Sequence, residues 1–116
     1  AWAMGWKPAQ AISGTGWMAP FLAPLMQQDP YPAVRYIAQH SLRTIPGFRG
    51  IEYDYMAHPN QRLAILGKIH DIWKRNKLPA ASRKGSLLMD PSGNLAQNVW
   101  QALLKTRNNR RVNLEE

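Results

Sequence analysis

The chain has 116 residues, enough for one small domain, and 45% of them are apolar, which is typical of a folded rather than a disordered protein. Its formal net charge of +8 leaves nucleic acid, anionic lipid and acidic protein as candidate partners, beside the plainer interpretation of a solvated basic face. The absence of Cys excludes disulfides, thiolate metal sites and covalent c-type haem attachment within these residues. No stretch approaches the ~20 apolar residues of a membrane span.

The first predicted element is a helix over residues 1–12, ended by the glycine-containing turn at 13–16. It carries Trp2, Met4 and Trp6, although a chain terminus is normally polar. We therefore expect a helix separated from an upstream neighbour, with apolar surface left uncovered at these three side chains. Such a surface is expected to pack against another copy of the chain or against a displaced segment such as the C-terminal tail.

The second and third predicted helices follow a tight corner at residues 28–29. Trp17, Phe21 and Leu25 recur at helical spacing over residues 17–28, and a proline at 24 should bend or shorten that helix. Asp29 is expected to cap the third helix, which runs to residue 45. One face of the third helix is small or apolar, with the opposite face polar: Val34, Ile37, Ala38, Ser41, Leu42 and Ile45 point inward, and Arg35, Gln39 and Arg43 outward.

The remaining elements are predicted from periodicity and composition. Residues 51–55 form a short extended segment, and residues 59–76 form a strong helix that begins at His58. A linker follows at 78–93, then a helix over 95–105 and a polar tail. The inward side chains are Ile65, Leu66, Ile69, Ile72 and Trp73 on the first of these helices, and Leu95, Val99, Trp100 and Leu103 on the second. The domain organisation is therefore helical repeats over 1–77, a linker over 78–93 and a C-terminal helix with tail over 94–116.

Helices joined by short turns, with almost no strand signal, predict an all-α fold whose unit is an antiparallel helix pair. Residues 17–45 resemble a HEAT repeat, because the run from Asp29 to Arg35 looks like the Asp-Pro-x-x-x-Val-Arg feature of that family. The resemblance implies a short HEAT-like superhelix with a C-terminal helical cap and an extended tail. It also implies that Asp29 and Arg35 form a ladder between repeats while Val34 enters the core. Pro32 departs from the usual pattern.

A wider resemblance covers residues 5–9, 14–20, 29–35 and 107–112. These segments are similar to the C-terminal region of bacterial HEAT-repeat proteins, many of which carry multihaem cytochrome c modules upstream. The resemblance implies the C-terminal fragment of a larger protein, with a periplasmic or extracellular location. Any haem would belong to the upstream part, so no cofactor is expected in these residues.

Catalytic and metal-binding patterns are missing from the sequence. His40, His58 and His70 do not pair with a second His or a carboxylate at ligand spacing on one helix. No serine lies in a nucleophile elbow, and the Gly14–Gly16 turn is too short for a phosphate loop. We therefore expect neither an enzyme nor a metal site.

The function that the sequence favours is a protein-interaction scaffold. The alternative is nucleic-acid binding by a basic cluster on and after the helix over 59–76, which comprises Lys68, Lys74, Arg75, Lys77, Arg83 and Lys84. No recognition motif accompanies these residues, and Trp73 lies at core spacing rather than on a free stacking face. The scaffold is therefore the expected function.

Overall fold

The computed structural model describes residues 1–76, 88–92 and 94–106. It starts with a 3₁₀ turn at Trp2–Gly5, and the helices that follow are α1 (Lys7–Ser13), α2 (Met18–Gln28), α3 (Pro32–Arg43), α4 (Pro59–Arg62), α5 (Ala64–Arg75) and α6 (Gln97–Thr106). Within the described ranges the only β pairing is an isolated bridge between Met89 and Leu95, so the fold is all-α. No helix there is long and apolar enough to cross a membrane. Residue 77, much of the predicted linker (78–87 and 93) and the predicted tail at 107–116 lie outside the described residues.

Helix α2 is the centre of the fold and packs against α3, α4 and α5. Met18, Leu22 and Met26 repeat every four residues along it and are fully buried. Leu42 of α3 and Ile69 of α5 are buried in the same core. The helix continues past Pro24 to Gln28, so this proline does not end it.

Two hydrogen bonds fix the direction of α5 relative to α2. At one end, the Nη1 of Arg62 donates to the carbonyl oxygen of Gln27 at 2.8 Å. At the other end, the indole Nε1 of Trp73 donates to the carbonyl oxygen of Gly16 at 2.6 Å. The two helices therefore run antiparallel. Stacked copies of one helix pair would repeat the first helix in the same direction. The described residues instead hold one helix pair, α2 and α3, with α5 packed against α2, and the HEAT-like superhelix stays a prediction.

The corner between α2 and α3 differs from the predicted cap. Asp29 ends α2, and its carboxylate accepts the backbone N–H of Tyr31 at 2.9 Å, as in an Asx turn. Helix α3 begins at Pro32 with Tyr31 as its N-cap, because the fixed φ of proline suits the first helical position. Pro32 rather than Pro30 therefore sets the start of the helix.

The predicted inward stripe of α3 is buried over most of its length. Ala38, Ser41 and Leu42 are buried, and so is Ile45 just after the helix. Val34, predicted as a core residue, is only partly buried because it lies in the first turn of α3.

The loop over residues 46–58 returns the chain along the α2–α3 pair. Gly47 has a φ of +88°, which favours glycine, and the side chain of Asn76 occupies the space that a Cβ would need. Phe48 and Ile51 enter the core. The Nε2 of Gln39 donates a hydrogen bond to the backbone carbonyl of Tyr53 at 3.0 Å. The predicted extended segment at residues 51–55 therefore lies against α3.

The predicted helix over 59–76 is divided at Leu63, although this residue keeps helical dihedral angles (φ −59°, ψ −38°). His58 caps its start by accepting the backbone N–H of Asn60 at 3.5 Å. The predicted inward face of the last helix is wrong in part. Val99 and Leu103 of α6 are exposed, and the partly buried positions are Trp100 and Leu104, which lie one helical turn apart.

Replacing Leu42 by Ala should lower the free energy of unfolding by roughly 2–5 kcal/mol, because it leaves a cavity where α3 packs on α2. Leu63→Ala is the matched control, since the side chain of Leu63 is exposed and its loss should cost little. Chemical denaturation of both variants measures the difference. Equal stability of the two proteins would contradict the assignment of Leu42 to the core.

Candidate binding cleft

The N-terminal segment is fastened to α3 by close packing and hydrogen bonds. A Cβ on Gly5 would lie 2.8 Å from the Oγ of Ser41, so only glycine allows this approach. The Ser41 hydroxyl donates to the carbonyl oxygen of Ala1 at 2.9 Å. The Nε2 of Gln10 donates to the carbonyl oxygen of Met4 and to the Oγ1 of Thr44, each at 2.7 Å.

This attachment divides the helix that was predicted over residues 1–12. Trp6 has extended backbone angles (φ −90°, ψ 120°) between the 3₁₀ turn and α1. Pro8 then occupies the first turn of α1, where its missing N–H costs little. The change of direction at Trp6 leaves the ring of this residue at the surface beside that of Trp2.

The segment and α3 enclose a cleft of about 330 Å³, here named the aromatic cleft. Its lining residues are Trp2, Gly5, Trp6, Tyr36, Ile37, His40 and Ser41. Much of each large ring stays exposed, at 71% for Trp2, 55% for Trp6 and 51% for Tyr36. The expected uncovered surface near the N-terminus therefore exists at Trp2 and Trp6, and α3 supplies its other wall. Met4, expected in the same surface, is instead partly buried against the core.

The rings of the aromatic cleft form two nearly parallel pairs. The centroids of Trp2 and Trp6 are 6.5 Å apart with an interplanar angle of 16°. Those of Tyr36 and His40 are 6.4 Å apart at 24°. Tyr55 supports Tyr36 from outside the cleft through an edge contact at 5.2 Å and 67°. Among the described residues, nothing accepts a hydrogen bond from the indole N–H of Trp2 or Trp6.

The surroundings of the cleft are positively charged. Asp29 is the only acid in residues 1–51, and it is buried at the corner before α3. The exposed charged side chains of this stretch are Lys7, Arg43 and Arg49. Lys7 follows Trp6 directly, and Arg43 lies one helical turn after His40, so two of the three charges adjoin cleft residues.

Arg35, predicted on the face of α3 opposite the core stripe, is buried and contacts Asp29 at the corner before α3. Its Nη1 donates to the carbonyl oxygen of Asp29 at 2.5 Å, and its Nε donates to that of Tyr55 at 2.8 Å. Burial, and after it the positive charge of Arg62, lowers the pKa of Arg35. These two bonds hold the guanidinium on the inner side of the corner. The ladder between neighbouring repeats, which the family resemblance implies for Asp29, Val34 and Arg35, stays a prediction.

The predicted basic cluster is only partly described. Lys68, Lys74 and Arg75 are exposed on α5, while Lys77, Arg83 and Lys84 lie outside the described residues. Lys68 lines a polar cleft together with Glu52 and Asp54. These acids reduce the positive potential at the start of the cluster.

A third cleft, also of about 330 Å³, is apolar and lies between α2, α5 and the start of α6. Pro20, Pro24, Gly67 and Trp100 are among its lining residues. The Nε1 of Trp100 is buried without an acceptor among the described residues. His70 and Gln97 also line this cleft.

The three histidines do not converge on one site. His40 stacks on Tyr36 in the aromatic cleft, His58 caps α4, and His70 stacks on Trp73 with centroids 5.8 Å apart. Over the residues that the structure describes, no three His, Cys, Asp or Glu side chains are placed to hold a metal ion.

Tyr36 and His40 line the aromatic cleft but were not predicted from the sequence as members of one site. Both lie on the polar side of α3 at i and i+4, where an aromatic pair usually indicates nothing more than a solvated face. The sequence feature that could have indicated this site is Gly5. A glycine next to bulky aromatic residues indicates that the backbone packs closely on a small residue, here Ser41.

Substitution of Arg35 by Ala should lower the free energy of unfolding by about 2–4 kcal/mol, since it removes a charged donor from the buried carbonyl of Asp29 and the partly buried carbonyl of Tyr55. The matched control is Arg49→Ala, because the Arg49 side chain is exposed. Thermal or urea denaturation of both proteins tests this. If Arg35→Ala unfolds like the control, the guanidinium does not stabilise the corner.

Comparison with protein-family models, curated proteins and solved structures finds no match to this chain. The HEAT-like resemblance of residues 17–45 therefore stays a prediction. The function has to be argued from the aromatic cleft and the charges around it.

Proposed function

We propose that this chain is a non-catalytic interaction domain, built on one HEAT-like helix pair, that binds a protein partner through the aromatic cleft. The observation that carries the proposal is the joint exposure of Trp2, Trp6 and Tyr36 around one concave surface. Trp and Tyr dominate the energetic hot spots of protein interfaces. Clustered apolar surface on a folded domain is typical of a binding site, whereas isolated exposed apolar residues are not.

Support also comes from the way in which the rings are held. Gly5 packs directly on Ser41, and Gln10 ties the 3₁₀ turn to the end of α3. Both walls of the cleft therefore rest on hydrogen-bonded backbone. A surface that is ordered before the partner arrives loses less conformational entropy on binding, and this favours affinity.

Photo-crosslinking in the source cells tests the proposal. A benzoyl-phenylalanine residue in place of Tyr36 should form covalent adducts that protease removes and nuclease leaves intact. The same residue in place of Ile12, which is exposed but outside the cleft, is the matched control. Equal labelling at both positions, or adducts that nuclease removes, would overturn the proposal.

Self-association through Trp2, Met4 and Trp6 is the case in which the protein partner is a second copy of this chain. The exposed charges of residues 1–51 are all positive, so two copies that meet at this face repel each other at low ionic strength. We expect a monomer at low salt, with association appearing only when salt shortens the Debye length to about 3 Å near 1 M.

Sedimentation velocity over a concentration series at both salt levels measures this effect. The variant Trp2→Glu should remain monomeric at both. Dimerisation of the parent chain that is strongest at low salt would show that like-charge repulsion does not govern this face.

A further inference from the structure

We propose that the aromatic cleft binds an acidic, proline-rich segment of the partner in the polyproline II conformation. This inference rests on the proposed protein-interaction function and names the chemistry of the occupant.

The first argument is the combination of flat rings and free donors. Trp2, Trp6 and Tyr36 each offer an exposed apolar face together with an N–H or O–H group that has no partner among the described residues. A polyproline II segment presents proline rings for such faces and carries backbone carbonyls with no internal hydrogen bonds. Aromatic-lined grooves recognise proline-rich segments in this way, because the ligand is already extended and loses little entropy on binding.

The second argument is charge complementarity. Lys7 follows Trp6, Arg43 lies one helical turn after His40, and residues 1–51 expose no carboxylate that would neutralise these two cations. The exposed acids Glu52 and Asp54 instead line the separate polar cleft beside Lys68. A segment that carries Glu or Asp next to its prolines would therefore be attracted to the aromatic cleft, and a basic segment would be repelled.

Single-stranded nucleic acid is the other polymer that exposed aromatic rings bind, and it needs open ring faces along a basic track. The cleft fits it less well. Of the exposed cations in residues 1–51, only Lys7 and Arg43 lie near cleft residues along the chain, which makes a short basic track for a phosphate backbone. The Nε of Arg43 donates to the carbonyl oxygen of Arg49 at 3.2 Å, which reduces its freedom to follow a phosphate backbone.

The experiment is a titration of the ¹⁵N-labelled 116-residue chain with a blocked peptide of Glu-Pro-Pro repeats. Each of the five tryptophans carries one indole N–H. The signals of Trp2 and Trp6 therefore report directly on binding at the aromatic cleft. The signals of Trp2 and Trp6 should shift. That of Trp17 should stay in place, because its ring is buried and its N–H already donates to the carbonyl oxygen of Ser13 at 3.2 Å.

Variants of the chain locate the binding. Trp6→Ala should lower the affinity for the peptide by about tenfold or more, as expected for a hot-spot ring. Tyr36→Phe keeps the ring and removes the hydroxyl, and it should weaken binding without affecting the fold. Ile12→Ala is the matched control and should bind like the parent chain, since its side chain is 90% exposed outside the cleft.

Three further probes decide the chemistry. A Lys-Pro-Pro peptide tests the charge, a Glu-Gly-Ser peptide tests the polyproline conformation, and oligo(dT) tests nucleic acid. The inference is overturned if any of them shifts the Trp2 and Trp6 signals at lower concentration than the Glu-Pro-Pro peptide, or if that peptide shifts neither signal. A protein adduct at position 36 together with a failed titration would sink only this inference, whereas failure of both would sink the proposed function as well.

Discussion

The carboxyl end of α2 is where three separate parts of the chain are tied together. A helix ends with carbonyl groups that lack intrahelical partners, and burying them without donors is costly. Here the hydroxyl of Tyr53 donates to the carbonyl of Met26, Arg62 donates to that of Gln27, and Arg35 donates to that of Asp29. The two guanidinium groups also lie at the negative end of the helix dipole, which stabilises positive charge.

This arrangement follows from the composition of α2. From Met18 to Gln28 the helix has no charged side chain, so it is stable in water only when other elements cover it. Helices α3, α4 and α5 provide that cover, and donors from α3, α4 and the loop over residues 46–58 reach the carbonyls at the end of α2. The cost of placing Arg35 and Arg62 close together is visible in the pKa of Arg35, which burial lowers first and the charge of Arg62 lowers further.

Helical periodicity was sufficient to predict which side chains pack along α2. It was insufficient to predict which groups contact the carboxyl end of that helix. The stripe of α3 around Leu42 is buried as expected, because a 3.6-residue repeat depends only on local spacing. Helical spacing placed Arg35 on the face opposite the stripe, and the carbonyls that its guanidinium contacts belong to residues 29 and 55, which the local pattern cannot bring together. The uncovered rings at the N-terminus could be predicted from their apolar character alone. Their partner Tyr36 could not, because it joins them only when Gly5 packs on Ser41.

The hydrogen bonds of Arg35 at the carboxyl end of α2 also position one wall of the aromatic cleft. Successive residues of a helix point about 100° apart, so Arg35 and Tyr36 leave α3 on different sides. Arg35 holds the backbone of Tyr55, and the ring of Tyr55 in turn supports Tyr36 at the rim of the cleft. The core thus fixes the position of Tyr36 without burying it. An exposed ring that the fold positions but does not need for its own stability is free to contribute its apolar face to a partner.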